Sequence, residues 1–522
     1  MKAIVLFTLM LISSTIYAQD ISFKITGQKD TTVHLVKYFG KKLFYADTAQ
    51  IENGFVRFDG KKQKAGILAL YLPGENLLEF IYNEEPEVHI EAALPNLMGT
   101  AKAVAFKRKK KNELKPVSRE NTVFLNYIQF INSKRQAADA KRRELEGHEK
   151  GSQMYDQISE QIKDINTSVQ EYQKNIAENL KELLVSSIVR MSMDIKIPDA
   201  PLDAEGNVID SNFRFNYYRT HYFDNIDLND DRLVRTPVFH NKFTNYFSKN
   251  MMLQHWDTVI YHAFDFCDRL NQDSDIFQYC VSWITSNYEQ SKIMGMNKVF
   301  VHMGKRYYCS TNAEGESPAH WMPKDKLNDL CEKVDTHFDL VMGATPPNLI
   351  LRDTTDKNWI DFYSLDNEYT ILYFWDPECG HCKKITPKLQ TLYEKKWKKR
   401  NIDIFAVGKA VGEDFEKWKT FIKKNNLEFI NVGVTANLYD SAMVNAGLFV
   451  PRYTTLKSLN YQKTYDIYAT PKVWVLDKNK KIVAYSLTVS QLENLMDRLQ
   501  NVTDKEILFP IEKEDKEEDQ MH

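Results

Sequence analysis

Two cysteines, Cys379 and Cys382, stand in the stretch YFWDPECGHCKKITPK with only Gly380 and His381 between them. Two thiols at this spacing can form a redox switch, half of a zinc site, a haem tether or a structural disulfide. Covalent haem attachment needs His directly after the second Cys, and Lys383 stands there. A structural zinc site needs four ligands, typically from two such pairs. The chain has no second Cys-x-x-Cys, although His381 and a distant cysteine could add ligands. A purely structural disulfide would close a very small loop and constrain little of the unfolded chain. Redox chemistry is the use that this spacing serves best.

The flanking elements support that use. The apolar run YTILYFW predicts a buried strand that ends at the pair, and CKKITPKLQTLYEKKWKK predicts a helix that starts there. Cys379 is then placed at a helix N-terminus, where free N–H groups and the positive end of the dipole stabilise a thiolate. Such a site lowers a thiol pKa from about 8.5 to roughly 3.5–7.5. Cys382, one turn on, faces inward. Cys379 is accordingly the expected nucleophile and Cys382 the resolving thiol. His381, when protonated, would favour the thiolate further; the alternative is a solvent-exposed filler.

At this point WDPECGHCKKITP resembles the active site of the thioredoxin fold: Trp375, the Cys pair, Lys383, and Pro387 five residues after the second Cys. Gly-His is the pair found in protein disulfide isomerase domains. The fold's second hallmark is a cis-proline facing the disulfide, and YATPKVWVLD resembles it at Thr470–Pro471. The resemblance implies that Pro471 keeps the backbone open and that the Thr470 backbone pairs with an extended substrate. The long step from Cys379 to Pro471 implies an inserted strand and helix, as in the TlpA/ResA-like extracytoplasmic branch. GATPPNLILRD is similar to the opening hairpin of that branch and of its peroxiredoxin relatives. The peroxiredoxin pattern Pro-x-x-x-Thr-x-x-Cys is absent at Cys379, which disfavours peroxidase activity.

The resemblance covers about residues 340–503. It implies a thiol–disulfide oxidoreductase of reductase or isomerase type, with a redox-active Cys379–Cys382 disulfide and neither metal nor cofactor. Its partners would be protein disulfides or thiols and a membrane or periplasmic redox partner that resets the pair. One departure stands out: thioredoxin carries a buried acid six positions before its first Cys, and Tyr373 occupies that place. Asp376 and Glu378 are near but expected to be exposed, so no proton acceptor for Cys382 is evident. Gly-His argues for a potential less reducing than thioredoxin's, and the direction of electron flow stays open.

The elements that must position this pair are spread over 522 residues, too many for one core. The expected architecture is multidomain: an N-terminal antiparallel β domain, a middle mainly α domain and a C-terminal α/β thioredoxin-like fold. Hydrophobic residues at 43%, charged residues at 27% and a net charge of −2 exclude disordered and fibrous classes and leave no field to recruit nucleic acid. Residues 1–18, with Lys2, the run AIVLFTLMLI and the small residue Ala18, are expected to be a cleaved secretory signal. Such a signal implies export, and the resemblance implies the periplasm or cell envelope of a Gram-negative bacterium, with the chain soluble after cleavage. No later stretch reaches 18 uninterrupted apolar residues.

Residues 19–100 carry short alternating runs such as ISFKIT, TVHLVKYF and LLEFIY, which predict a small sandwich or meander. Residues 101–337 are expected to be mainly helical, with two long helices broken near Gly147–Gly151. The basic run Lys107–Lys111 is read as a solvated surface rather than a site for acidic head groups. The aromatic-rich stretch 199–250 is read as irregular core rather than a ligand groove. Residues 338–503 form the thioredoxin-like domain, and 504–522 a charged, disordered tail. Cys267, Cys280, Cys309 and Cys331 allow three pairings, and free buried thiols are favoured over staples. The front portion resembles the β-rich and helical domains of unassigned function that precede thioredoxin-like domains in envelope proteins of the Bacteroidetes. The competing class is an envelope binding protein or metallochaperone that uses the fold as a docking module.

Overall fold

The computed structural model describes residues 19–74, 76–105, 117–503 and 506–510. The expected signal segment and the basic run 107–111 lie outside the described residues. The chain divides into two compact units, residues up to Gln254 with Phe266–Cys280, and His255–Asp265 with Val281 onward.

The first unit opens with strands β1 (Asp20–Thr26), β2 (Thr31–Phe39), β3 (Lys42–Ile51), β4 (Phe55–Asp59), β5 (Gly66–Leu72), β6 (Asn76–Tyr82), β7 (Glu87–Ala93) and β8 (Lys102–Ala103). They form two four-stranded sheets, ordered β4-β1-β7-β8 and β3-β2-β5-β6. Pairing is antiparallel apart from β1 with β7. The sheets pack as a sandwich through apolar side chains; Phe23 of β1 meets Phe80 of β6 edge-to-face at 5.2 Å. Strand β3 and the two-residue β8 are not among the strands that alternation predicts. Of these β3 is the longer. It is an edge strand, mostly exposed, and KLFYADTAQI has no buried face to write into its pattern.

Two 27-residue helices follow, α1 (Arg119–Leu145) and α2 (Gln153–Asn179), capped by Ser118 and Ser152 and broken where the glycines suggest. Asn121 of α1 bonds both backbone groups of Ile81, at 2.8 and 2.7 Å, and so locks the helix to β6. The buried Glu120 accepts the N–H groups of Leu184 and Val185 at 2.7 and 3.0 Å, satisfying the N-terminus of α3 (Leu184–Ser192). In the aromatic-rich stretch, Phe239 and Phe243 of α4 (Pro237–Tyr246) are fully buried and stack at 6.0 Å, as core. Cys267 and Cys280 are free buried thiols.

The second unit contains α5 (Asn297–Tyr307) and α6 (Lys324–Phe338). Here the expectation of free thiols fails: Cys309 and Cys331 form a disulfide. Cys309 lies just past α5 and Cys331 on α6, and the packing of these two helices brings the thiols together across 22 residues. Helix packing, rather than sequence spacing, makes that pair.

The remaining strands are β9 (Ile350–Asp353), β10 (Trp359–Asp361), β11 (Tyr369–Trp375), β12 (Ile402–Gly408), β13 (Ile430–Gly433), β14 (Lys472–Asp477) and β15 (Ile482–Tyr485). They make a seven-stranded sheet ordered β10-β9-β13-β12-β11-β14-β15. Strand β11 runs parallel to β12 and antiparallel to β14. It is covered on both faces, which is why YTILYFW reads as one apolar run rather than an alternating one. Ile371, Tyr373 and Trp375 face one layer, formed by α7 (Gly380–Leu392), α8 (Asp414–Lys424) and α10 (Val489–Leu499). Leu372 and Phe374 face the other, with Leu438 of α9 (Ala436–Asn445), Tyr461 and Tyr465.

Beyond α7, Lys396 donates to Glu493 and Asp497 of α10 at 2.7 and 2.8 Å, with both carboxylates buried. Glu493 also accepts the N–H groups of Leu508 and Phe509, each at 2.9 Å, so the described part of the expected tail, residues 506–510, is held against this layer. The rest of the tail lies outside the described residues.

Candidate active site

Strand β11 stops at Trp375, and a tight turn carries the chain into α7. In that turn the Asp376 carboxylate accepts the Glu378 N–H at 2.7 Å, and the Asp376 carbonyl accepts the Cys379 N–H at 3.1 Å. Cys379 is the residue that caps α7, in extended geometry, and its sulfur is partly exposed. Cys382, in the first turn of the helix, is fully buried. Both are free thiols.

Across the site lies the segment before β14. The Thr470–Pro471 peptide bond is cis, and the Cys379 thiol donates to the Thr470 carbonyl at 3.2 Å. Lys472 braces this segment by donating to the Asp466 carbonyl at 2.6 Å. Beside Pro471 opens a groove of about 600 Å³, lined by His381, Ile385, Lys472, Val473 and Phe509 among others.

The two thiols are driven apart in acidity. Burial works against the Cys379 thiolate, but the Cys382 N–H, the Thr470 side chain, the Cys382 thiol and the His381 N–H outweigh it and hold its pKa below the ordinary thiol value. Burial pushes Cys382 up to about 11, and the neighbouring Cys379 adds to that rise. At neutral pH the exposed sulfur is the better nucleophile and the buried one holds its proton. Iodoacetamide alkylation read by peptide mass should therefore show a Cys379 midpoint below 9, with Cys382 unmodified up to that pH. The sign follows from the shifts: a depressed pKa keeps the reactive thiolate as pH falls, and a raised one withholds it as pH rises. Equal midpoints for both thiols would contradict this geometry.

The sequence-selected residues converge unequally. Cys379, Cys382, Thr470 and Pro471 meet at one point. His381 is exposed, and what reaches the Cys379 sulfur from this residue is its backbone N–H. Lys383 points to Glu378 at 3.6 Å, and Pro387 sits inside α7, beyond its first turn. Trp375 is buried against Phe421, with ring centroids 5.2 Å apart, and forms the floor of the site. Glu378 is exposed, and Asp376 is turned to Lys409 at 3.5 Å. Sequence reasoning singled out Tyr373 only for the acid it replaces and missed Thr386 and the layer the two form beneath the pair. Tyr373 is buried under the first turns of α7, its hydroxyl 2.8 Å from the Thr386 hydroxyl. Two-residue periodicity along β11 was the available signal, because it puts Tyr373 on the same face as Trp375.

Residues 367–482 match the family model described as thioredoxin-like, and residues 156–320 match one described as a domain of unknown function, DUF5106. A domain of a possible thiol-disulfide isomerase from Cytophaga hutchinsonii is 31% identical over 31% of this chain and 94% of its own, with a TM-score of 0.25. The thioredoxin domain of a thiol-disulfide oxidoreductase from Bacteroides vulgatus is 21% identical over 30% of this chain and 97% of its own, at a TM-score of 0.25. A thioredoxin-like protein from Bacteroides caccae covers 59% of this chain and 100% of its own at 14% identity, with a TM-score of 0.38. No curated protein matches the chain.

The C-terminal domain thus belongs to the thioredoxin-like class, with a Cys-x-x-Cys pair at the strand-to-helix junction facing a Thr-Pro segment. Its sheet carries β13 and the helices between β12 and β14 as an insertion and the β9–β10 hairpin in front, the two features the sequence resemblance implied.

Proposed function

We infer that this chain is an extracytoplasmic thiol–disulfide oxidoreductase of reductase or isomerase type, acting on protein disulfides through Cys379 and Cys382. The observation that carries the reading is the pairing of a partly exposed and a buried free thiol at one helix N-terminus, with the Thr470–Pro471 backbone facing the exposed sulfur. In the reducing direction the Cys379 thiolate attacks one sulfur of a substrate disulfide. The S–S bond breaks and one substrate sulfur leaves as a thiolate. Cys382 then loses its proton and attacks the Cys379 sulfur, releasing the second substrate thiol and forming Cys379–Cys382. The oxidising direction reverses these steps. A membrane or periplasmic partner would reset the pair, and residues 1–18 supply the export signal that places it there.

Thr470 and Pro471 would offer backbone to an extended substrate, and His381 would tune the thiolate from the rim of the groove. The test is insulin reduction by the purified chain with dithiothreitol as electron source. Precipitation of the insulin B chain several-fold faster than with dithiothreitol alone is the expected result. Intact insulin together with near-stoichiometric copper or zinc on the purified protein would instead favour the metallochaperone reading.

A further inference from the structure

Resolution of the mixed disulfide asks a fully buried thiol to become a thiolate, and the carboxylate that thioredoxin keeps six residues before its first Cys is replaced by Tyr373. Tyr373 lies in the same core layer as Cys382, wholly shielded from solvent, and burial, with the nearby Cys382 thiol adding to it, raises the pKa of its phenol. Thr386, one turn beyond Cys382 on α7 and equally buried, shares a hydrogen bond with that hydroxyl at 2.8 Å. With Thr386 as donor to the phenol oxygen, the phenol proton is left to point at Cys382.

The geometry points to Tyr373 as a further catalytic residue: a fixed hydrogen-bond donor that stabilises the Cys382 sulfur as it becomes a thiolate, with Thr386 as its positioning residue. The proposal rests on the oxidoreductase reading above. A neutral phenol in this place acts differently from a carboxylate. Burial holds its own proton firmly, so it does not take the proton of Cys382. It lowers the energy of the charge that develops there, and a donor aimed at developing charge in a dry site is worth more than the same bond in water.

The step balances without another reactant. Cys382–SH and the Cys379–S–S–substrate bond give the Cys379–Cys382 bond and substrate thiol; the substrate disulfide is reduced, the enzyme dithiol is oxidised, and the Cys382 proton ends on the leaving sulfur. In the oxidising direction Cys382 is the leaving group, and the same hydrogen bond assists its departure.

The experiment is stopped-flow reaction of the full reduced chain with 5,5′-dithiobis(2-nitrobenzoate). Attack by Cys379 releases the first thionitrobenzoate, and resolution by Cys382 releases the second. Tyr373→Phe should leave the first release within about 2-fold of wild type and slow the second about 10-fold, the scale of one hydrogen bond to a charged group. Thr386→Val should slow the second release about 3-fold and spare the first, and it reads the same donor chain should Tyr373→Phe fail to fold. A merely structural role would slow both releases or neither. Unchanged second release in these variants overturns the role of Tyr373 and leaves the redox reading standing. Absence of a second release from the wild-type chain overturns both.

Discussion

Cys379→Ser is expected to bring insulin reduction down to the dithiothreitol background, with the enzyme-dependent rate above that background lost by a factor on the order of 10³ or more. The serine hydroxyl has nearly the same shape, but it stays protonated at neutral pH and forms no mixed disulfide. The variant should fold as the parent does, because Cys379 is partly exposed and its sulfur's main partner is one carbonyl, which a hydroxyl also satisfies. An unchanged thermal midpoint beside lost activity separates chemistry from folding. Residual activity above a tenth of wild type would place the nucleophile elsewhere and overturn the site as drawn.

The second large effect is expected from Cys382→Ala. Cys379 is still a thiolate there, so attack on a substrate disulfide proceeds, but nothing resolves the product. Catalytic turnover should fall as far as in Cys379→Ser, while the first chemical step persists and a covalent complex accumulates. Non-reducing electrophoresis of the variant exposed to a disulfide-bearing protein should show a band at the summed mass that dithiothreitol collapses. Adding Cys379→Ser to the trap should abolish that band. Alanine leaves a small cavity in the layer under α7, at roughly 1–2 kcal/mol, so the trap is best compared by single-turnover rate rather than by yield. Retained turnover in Cys382→Ala would remove the resolving role from this thiol.

Both predictions depend on an asymmetry that is local in origin. A strand ending where a helix begins puts the first Cys at free N–H groups and the second one turn inward, and this follows from spacing alone. The long helices of the first unit were legible for a similar reason: their apolar period and the glycine-bearing break near residues 147–151 are written along the chain. Strand β3 was not legible, because an exposed edge strand has no buried face to impose a pattern. Cys309 and Cys331 were read as free because sequence spacing cannot tell which helices pack; the disulfide is decided by the seating of α5 and α6.

The division is sharpest within the site. Residues 373–388 by themselves set the expectation of a thioredoxin-type Cys pair with one accessible and one inward-facing thiol, since this depends on i to i+3 geometry. Only the tertiary structure decided what faces the sulfurs. The Thr470 carbonyl reaches Cys379 across 91 positions of sequence, and the Tyr373–Thr386 hydroxyl pair lies beneath Cys382 because β11 and α7 pack face to face. Those contacts arise from strand order and helix seating, which couple residues distant in the chain and are set by how the whole sheet buries its two faces.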